Sequence, residues 1–326
     1  MTAAPAARVR DAALHWLGRN RERFALDADA LSPDGRADRS WKPLGELAQV
    51  GATLTLRTPP GDPAQGRARE LLAFAWQQTH DGALFVRLQR AEPFATYPLE
   101  VYSAFAAAGL RHPDYERVAA TMARIRGWRC AEQDPTRRLG VLQAERHTGA
   151  DRGAPLEPIL AATWLGGLPE PWSFERSSGY ALTHVVFHLT DWGRGGPGTP
   201  PAMTAYLHDW LPAWLTTCLE AGMWDLGCEL LAVAASLPRP DEALLRESWT
   251  RLADAQDPSG ALPEQDGLPT SGEADFIHTY HSTLMAAFAA GLTVAPAVRT
   301  DASRTLRHPQ RARAVRVVHD AQGVSG

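Results

Sequence analysis

The chain has 326 residues, of which 44% are hydrophobic and 21% are charged, and its formal net charge is −4. This composition is typical of a soluble globular protein with enough chain for a sizeable core, and the weakly negative charge excludes the overall basic field that favours nucleic-acid binding. No apolar run approaches the roughly 20 residues that span a bilayer, and the N-terminus lacks the apolar stretch of a signal peptide. The three cysteines, Cys130, Cys218 and Cys228, are too scattered for a disulfide framework. We therefore expect a reduced, cytoplasmic protein that binds neither nucleic acid nor membrane.

Helical periodicity dominates most of the chain. Apolar residues recur at helical spacing in about twelve segments, which Pro, Gly and Asp separate. The predicted helices cover residues 5–23, 42–57, 64–79, 98–110, 113–128, 135–149, 155–165, 174–192, 200–221, 223–236, 240–256 and 274–292. Strand signals are scarce: residues 83–88 are the best strand candidate, and residues 52–56 are ambiguous.

The turns between these helices contain a faint repeat. Residues 76–84 and 252–262 both end an apolar helix, continue with Gln and finish on Gly-Ala-Leu, and residues 164–169 form a weaker copy. Recurring helix–turn units favour an array or ring of helical hairpins, although glycine after a helix is also common for other reasons. We predict an all-α fold, an α/α-toroid-like ring or array, in a single domain over residues 5–292. A basic, loosely ordered C-terminal tail is predicted for residues 293–326.

The predicted helix over residues 174–192 carries a polar stripe. Tyr180, His184, His188 and Asp191 recur at helical spacing and so share one face, which leaves Thr183 to face outward. Two histidines four residues apart can bind one divalent metal, but the glutamate of the metalloprotease motif is missing here. Metal ligands, a polar pocket and core-edge histidines bonded to backbone carbonyls stay open as interpretations. We take His184, His188 and Asp191 as the candidate catalytic residues.

A second polar set lies further along the chain. Asp225, Cys228 and Glu229 share one helix face, and His281 lies among apolar residues of the last predicted helix. A thiolate, an imidazole and a carboxylate together are an ordinary zinc ligand set. Asp225, Cys228 and His281 are therefore the candidate metal ligands. The alternative is that a cysteine on an apolar helix is an inert core residue.

These segments resemble parts of the protein prenyltransferase β-subunits and, more broadly, of the terpene-cyclase-like α/α toroids. In the β-subunits an Asp-x-Cys pair and a later histidine, in a Tyr-His-Thr-type segment, hold a catalytic zinc. Here His281 follows Tyr280, whereas two residues rather than one separate Asp225 from Cys228, and the Asp-x-Asp-Asp motif of the cyclases is missing. The resemblance implies that zinc is the cofactor, with Asp225, Cys228 and His281 as its ligands.

Longer patterns, over residues 44–48, 166–172 and 180–193, resemble a bacterial domain family of unknown function. Two functional interpretations stay open. The first is an enzyme of bacterial specialised metabolism that acts on a small or peptide-linked organic substrate in a central polar and aromatic cavity, to which some of the 11 tryptophans would contribute. The second is a non-catalytic helical scaffold whose surface binds a protein partner, with the same polar residues serving as a hydrogen-bonded core.

Overall fold

The computed structural model of the protein describes residues 3–27, 30–31, 40–151, 153–270 and 275–295. Within these ranges the chain forms thirteen α-helices and no β-strand, so the fold is all-α as predicted. The helices are α1 (Ala3–Arg19), α2 (Trp41–Arg57), α3 (Pro63–Gln78), α4 (Ala83–Ala91), α5 (Tyr97–Ala107), α6 (Pro113–Met122), α7 (Pro135–Thr148), α8 (Glu157–Ala161), α9 (Arg176–Leu189), α10 (Pro201–Glu220), α11 (Trp224–Ser236), α12 (Glu242–Ala255) and α13 (Asp275–Val294). The tail predicted for residues 293–326 lies outside the described residues from position 296 onward.

The strand predicted at residues 83–88 is wrong, because these residues begin helix α4. Gly82 precedes the helix with a φ of 89°, and this left-handed conformation lets the chain turn sharply after α3. Leu84, Phe85 and Leu88 are the apolar residues of α4 that become buried, at the spacing of one helix face. A short apolar run fits either period, and here packing selected the helix.

Six helices contact one another in cyclic order. Helix α2 packs against α5, α5 against α7, α7 against α9, α9 against α11, α11 against α13, and α13 against α2. The remaining helices pack on these six: α1 on α13, α3 on α2, α4 on α5, α6 and α8 on α7, and α10 and α12 on α11. The polar side chains of the candidate functional site lie on the six helices of this cycle or in the turn after α9.

The burial pattern explains which helices are central. In α11 every residue from 224 to 234 is buried, so protein surrounds this helix on all sides. Helix α12 instead buries one narrow stripe, Leu245, Ser248, Trp249 and Leu252, and exposes its other face. No helix within the described ranges is long and apolar enough to cross a membrane.

Candidate functional site

A cavity of about 320 Å³ is lined by residues of all six helices in the cycle. Lys42 and Arg137 are exposed members of its wall, so the cavity reaches solvent beside them. The side chains in the wall that can carry chemistry include Glu46, Glu100, Gln143, His184, His188, Glu229 and His281. Two hydrogen-bonded networks hold His281 and His188 in place.

The first network fixes His281, which lies on α13. Its Nδ1 is 2.7 Å from Asp225 Oδ1, and the Tyr180 hydroxyl donates to Asp225 Oδ2 at 2.7 Å. Burial alone would raise the pKa of Asp225, but the adjacent His281 and these hydrogen bonds lower it. Because an ionised carboxylate only accepts hydrogen bonds, His281 donates from Nδ1 and presents Nε2 on the other side of its ring.

Two further carboxylates flank that Nε2 atom. Glu46 Oε1 lies 3.7 Å from it and Glu229 Oε1 lies 3.8 Å from it, both longer than a hydrogen bond. Burial opposes the charge on His281, but Glu46, Asp225 and Glu229 together raise its pKa to about 10. Burial also raises the pKa of Glu229 to about 8, against the opposing influence of His281.

Thr183 lies on the inside of α9, not on the outward face that the stripe predicted. It is completely buried, and its hydroxyl donates to Glu229 Oε2. The reason is that α9 packs on both α7 and α11, so more than one of its faces is covered. The threonine therefore orients one of the carboxylates beside His281.

The second network begins at Asp191. Helix α9 ends at Leu189, so Asp191 lies in the following turn, with a φ of 51°, rather than on the predicted helix stripe. Its Oδ1 accepts from the Gln143 amide, lies 2.8 Å from His147 Nε2 and accepts from Arg194 at 2.9 Å. Burial would raise the pKa of Asp191, but the hydrogen bond with His147 and the charge of Arg194 hold it well below its usual value.

Gln143 connects this carboxylate to His188. Since the Gln143 amide nitrogen donates to Asp191, the amide oxygen faces His188 Nδ1, at 2.9 Å, and must accept. Nδ1 of His188 therefore carries the proton, and the neutral ring keeps a lone pair on Nε2. Burial, followed by the neighbouring His184, lowers the pKa of His188 to about 3, so the ring is neutral at pH 7.

His184 lies one helical turn before His188 on α9. The two ring centroids are 6.0 Å apart, and Trp192 packs against both rings at 6.3 and 6.4 Å. Burial and the charge of His281 lower the pKa of His184 to about 4. The cavity wall therefore contains two imidazoles that are neutral at pH 7 and a third, His281, that is charged.

The potential metal ligands nearest one another are Asp225, Glu229 and His281. Each offers one ligand atom, and these atoms lie within 4.8 Å of one another. Cys228 does not belong to this group among the residues searched; it is fully buried, and burial raises the pKa of its thiol well above the usual value. An imidazole and two carboxylates suit zinc by type, yet the 2.7 Å contact of Asp225 with His281 has the length of a hydrogen bond.

The structure thus brings His184, His188 and His281 to one cavity, with Asp225 behind His281 and Asp191 behind His188. Residues that the sequence reasoning missed include Glu46, Gln143 and Gly140. Glu46 lies within the 44–48 pattern, which was the only signal pointing to it. Gly140 and Gln143 are three residues apart on α7 and so share its inner face.

These features define an all-α protein with a polar cavity that six helices line. Over residues 10–291 the chain matches the family described as Domain of unknown function (DUF6895), and it belongs to that family. The match confirms the prediction of a domain family of unknown function. No curated protein and no solved structure matches the chain.

Proposed function

We propose that the protein is an enzyme that catalyses proton transfer on a small or peptide-linked organic substrate bound in the cavity. One observation carries this proposal: the pKa of His188 is lowered to about 3 and that of His281 is raised to about 10, and both side chains line the same cavity. Titratable groups whose environments push their pKa values apart are characteristic of acid and base pairs in enzymes. His188 is the base in this proposal, and His281 is the acid.

The roles follow from the two ring nitrogens. His188 Nε2 has a lone pair and takes the proton, while His281 donates from Nε2, beside Glu229 and Glu46. A base with so low a pKa acts when negative charge develops next to it, because nearby negative charge raises the pKa of an imidazolium. Asp191 acts through Gln143 as a positioning residue, and His184 supplies a second neutral imidazole beside His188.

The architecture in this proposal is an α/α toroid. The cyclic contact order of α2, α5, α7, α9, α11 and α13 supports it, as does the placement of the other helices on these six. This proposal includes the resemblance of the chain to prenyltransferase and terpene-cyclase-like toroids. It also assigns the protein a role in bacterial specialised metabolism. It is the position of the cavity, rather than any one motif, that agrees with that resemblance.

A zinc ion is the alternative source of acid chemistry. His281, Asp225 and Glu229 would hold it, and the ion would polarise a carbonyl or lower the pKa of bound water. The proton-transfer roles above do not depend on it. Elemental mass spectrometry of the purified protein tests this alternative, since a bound zinc would be found at about one ion per chain.

The second candidate function is a scaffold that binds a protein partner. Trp172 has 82% of its surface exposed, and Leu168 and Trp210 are exposed as well. A contiguous patch of exposed apolar side chains would mark an interaction surface. A scaffold would keep its function when the cavity histidines are replaced.

The experiment is a substrate search with matched variants. The purified protein is incubated with a metabolite extract, and untargeted mass spectrometry follows which compounds are consumed. We expect His188→Asn and His281→Asn to abolish consumption and His15→Asn, an exposed residue of α1, to leave it unchanged. Consumption that survives in both cavity variants, or no consumption by any form, would contradict the enzyme proposal.

A further inference from the structure

Gln49 lies in the cavity wall with an amide group that Arg194 orients. Nη1 of Arg194 lies 2.9 Å from the amide oxygen and Nη2 lies 3.2 Å from it. A guanidinium group only donates hydrogen bonds, so the oxygen must face it and the nitrogen must take the other position. In this orientation the nitrogen forms no hydrogen bond within the part of the chain that the structure describes.

This nitrogen is a donor that the fold leaves to a ligand. Only 9% of the surface of Gln49 is exposed, and the residue belongs to the wall, so its exposed part faces the cavity. A nearly buried amide donor without an acceptor costs stability. An acceptor atom of a bound molecule would satisfy it.

His281 supplies a second donor to the same cavity. Its Nδ1 is taken by Asp225, which leaves Nε2, and the flanking oxygens of Glu46 and Glu229 are too far away for a hydrogen bond, at 3.7 and 3.8 Å. Gln49 follows Glu46 by three residues on α2, so both project from the helix face that lies towards His281. The two open donors are therefore neighbours in the wall.

The charges in this part of the wall favour an anion. Burial raises the pKa of Glu229 to about 8 and also raises the pKa of Glu46, which favours the neutral form of both carboxyl groups. Lys42 is exposed at the entrance, in the first turn of α2, and is not ion-paired with any described residue. The helix dipole adds to its positive charge there. Arg137, a second cation at the entrance, is already paired with carboxylates.

We propose that the cavity binds a small organic acid through its carboxylate, which accepts hydrogen bonds from the Gln49 amide and from His281 Nε2. Lys42 attracts the anion at the entrance. The volume of about 320 Å³ admits a small acid, and Val101 and Met285 give the wall apolar surface for its carbon chain. That this acid is the substrate rests on the proposed function, whereas the binding itself does not.

The test compares pentanoate with 1-pentanol and n-pentylamine at pH 7 by isothermal titration calorimetry. The three probes have similar chains and differ in the head group. We expect pentanoate to bind at least about tenfold more tightly than the other two, and Gln49→Glu to remove that preference. The new side chain keeps an oxygen for Arg194 but replaces the amide donor by an acceptor. Gln77→Glu makes the same change at an exposed position of α3 and should bind pentanoate like the native protein.

Equal binding of the three probes, no binding of pentanoate, or a pentanoate preference that survives Gln49→Glu overturns the proposal. If Gln49→Glu misfolds by circular dichroism, Gln49→Met replaces it; this side chain has no donor and adds no charge, so the preference should again be lost. Pentanoate binding by a protein that consumes no metabolite would refute the enzyme proposal alone. Turnover of compounds without a carboxylate, together with equal binding of the probes, would refute this inference alone.

Discussion

At the scale of single residues, Gln143 determines which nitrogen of His188 carries the proton, although Gln143 itself has no charge. An amide can face either way, but Asp191 only accepts, so the Gln143 nitrogen must point to it and the oxygen to His188. The carboxylate thereby sets, through one intervening side chain, which nitrogen of His188 bears the proton. A carboxylate in direct contact would instead have raised the pKa of the imidazole.

We predict that Gln143→Met releases this control. Without the amide oxygen, His188 populates both neutral tautomers, which two-dimensional long-range ¹H–¹⁵N NMR distinguishes. Stability should fall by about 1–3 kcal/mol, since Asp191 and His188 each lose a partner. Gln65→Met is the control, because Gln65 also bonds two groups, the carbonyls of Thr55 and Thr58, outside the cavity. An unchanged tautomer in the Gln143 variant would show that other contacts set it.

Gly140 leaves room for the His188 ring because it has no side chain. A Cβ atom at this position would lie 2.8 Å from His188 Cε1 and 3.0 Å from Nε2, so Gly140→Ala must displace the ring. We expect a loss of about 1–3 kcal/mol in urea unfolding and a shifted His188 NMR signal. Gly66→Ala on α3 meets nothing within 4 Å and should gain about 0.5–1 kcal/mol. Equal effects from both variants would refute the contact.

At the scale of elements, α9 holds two histidines that stay neutral when buried. The pKa values of His184 and His188 are lowered to about 4 and about 3, from an ordinary value near 6.5. Below pH 6.5 the unfolded chain gains protons that the folded chain does not, so stability falls as the pH drops from about 6.5 towards 4. Above pH 6.5 these two histidines are neutral in both the folded and the unfolded chain, so their effect on stability vanishes.

The prediction is that replacing both residues by Gln flattens the acid side of the stability profile. Urea unfolding at intervals between pH 4.5 and 7 should show the native protein losing roughly 1 kcal/mol per pH unit or more from this pair. The double variant His15→Gln and His80→Gln removes two exposed histidines and should keep the native slope. If the α9 variant keeps the pH slope of the native protein, His184 and His188 are already solvated in the folded native protein.

Helical spacing alone could predict much of α9, α11 and α13. In these helices, polar residues recur at helical spacing on a face that would ordinarily be apolar. That is why His184, His188, Asp225 and His281 could be chosen as site residues from the sequence. Glu46 could not, since a glutamate on a helix is usually solvated and no local signal says that α2 joins the cycle. The α4 helix was missed for a related reason: its short apolar run has no period of its own, and its neighbours decide its conformation.

At the scale of the whole molecule, the contact of α13 with α2 completes the cycle. These helices approach closely at Gly291, where a Cβ atom would lie 2.1 Å from Leu54 Cδ2. Leu54 is fully buried, so a displaced side chain would have to move against other protein atoms. A glycine in a helix interior usually lowers helix stability, and here the close packing explains why one is present.

We predict that Gly291→Ala costs about 1–3 kcal/mol, despite the better helix propensity of alanine. Combining it with Leu54→Ala should cost less than the sum of the two single changes, because the smaller side chain makes room for the new methyl group. Gly18→Ala on α1 meets nothing within 4 Å and serves as the control. Strict additivity in the double-mutant cycle, measured by urea unfolding, would contradict close packing at this point.

The cyclic contact order has a consequence for how this architecture can change over time. An open array of hairpins can gain or lose a unit at its end, and its binding surface simply becomes longer or shorter. In the α/α toroid proposed above, each of the six helices has two neighbours in the contact cycle, so an inserted or deleted hairpin would alter the circumference of the ring and the volume of its cavity. Variation in ligand preference within such a family is therefore expected through side-chain substitution in the cavity wall, at a constant number of helices.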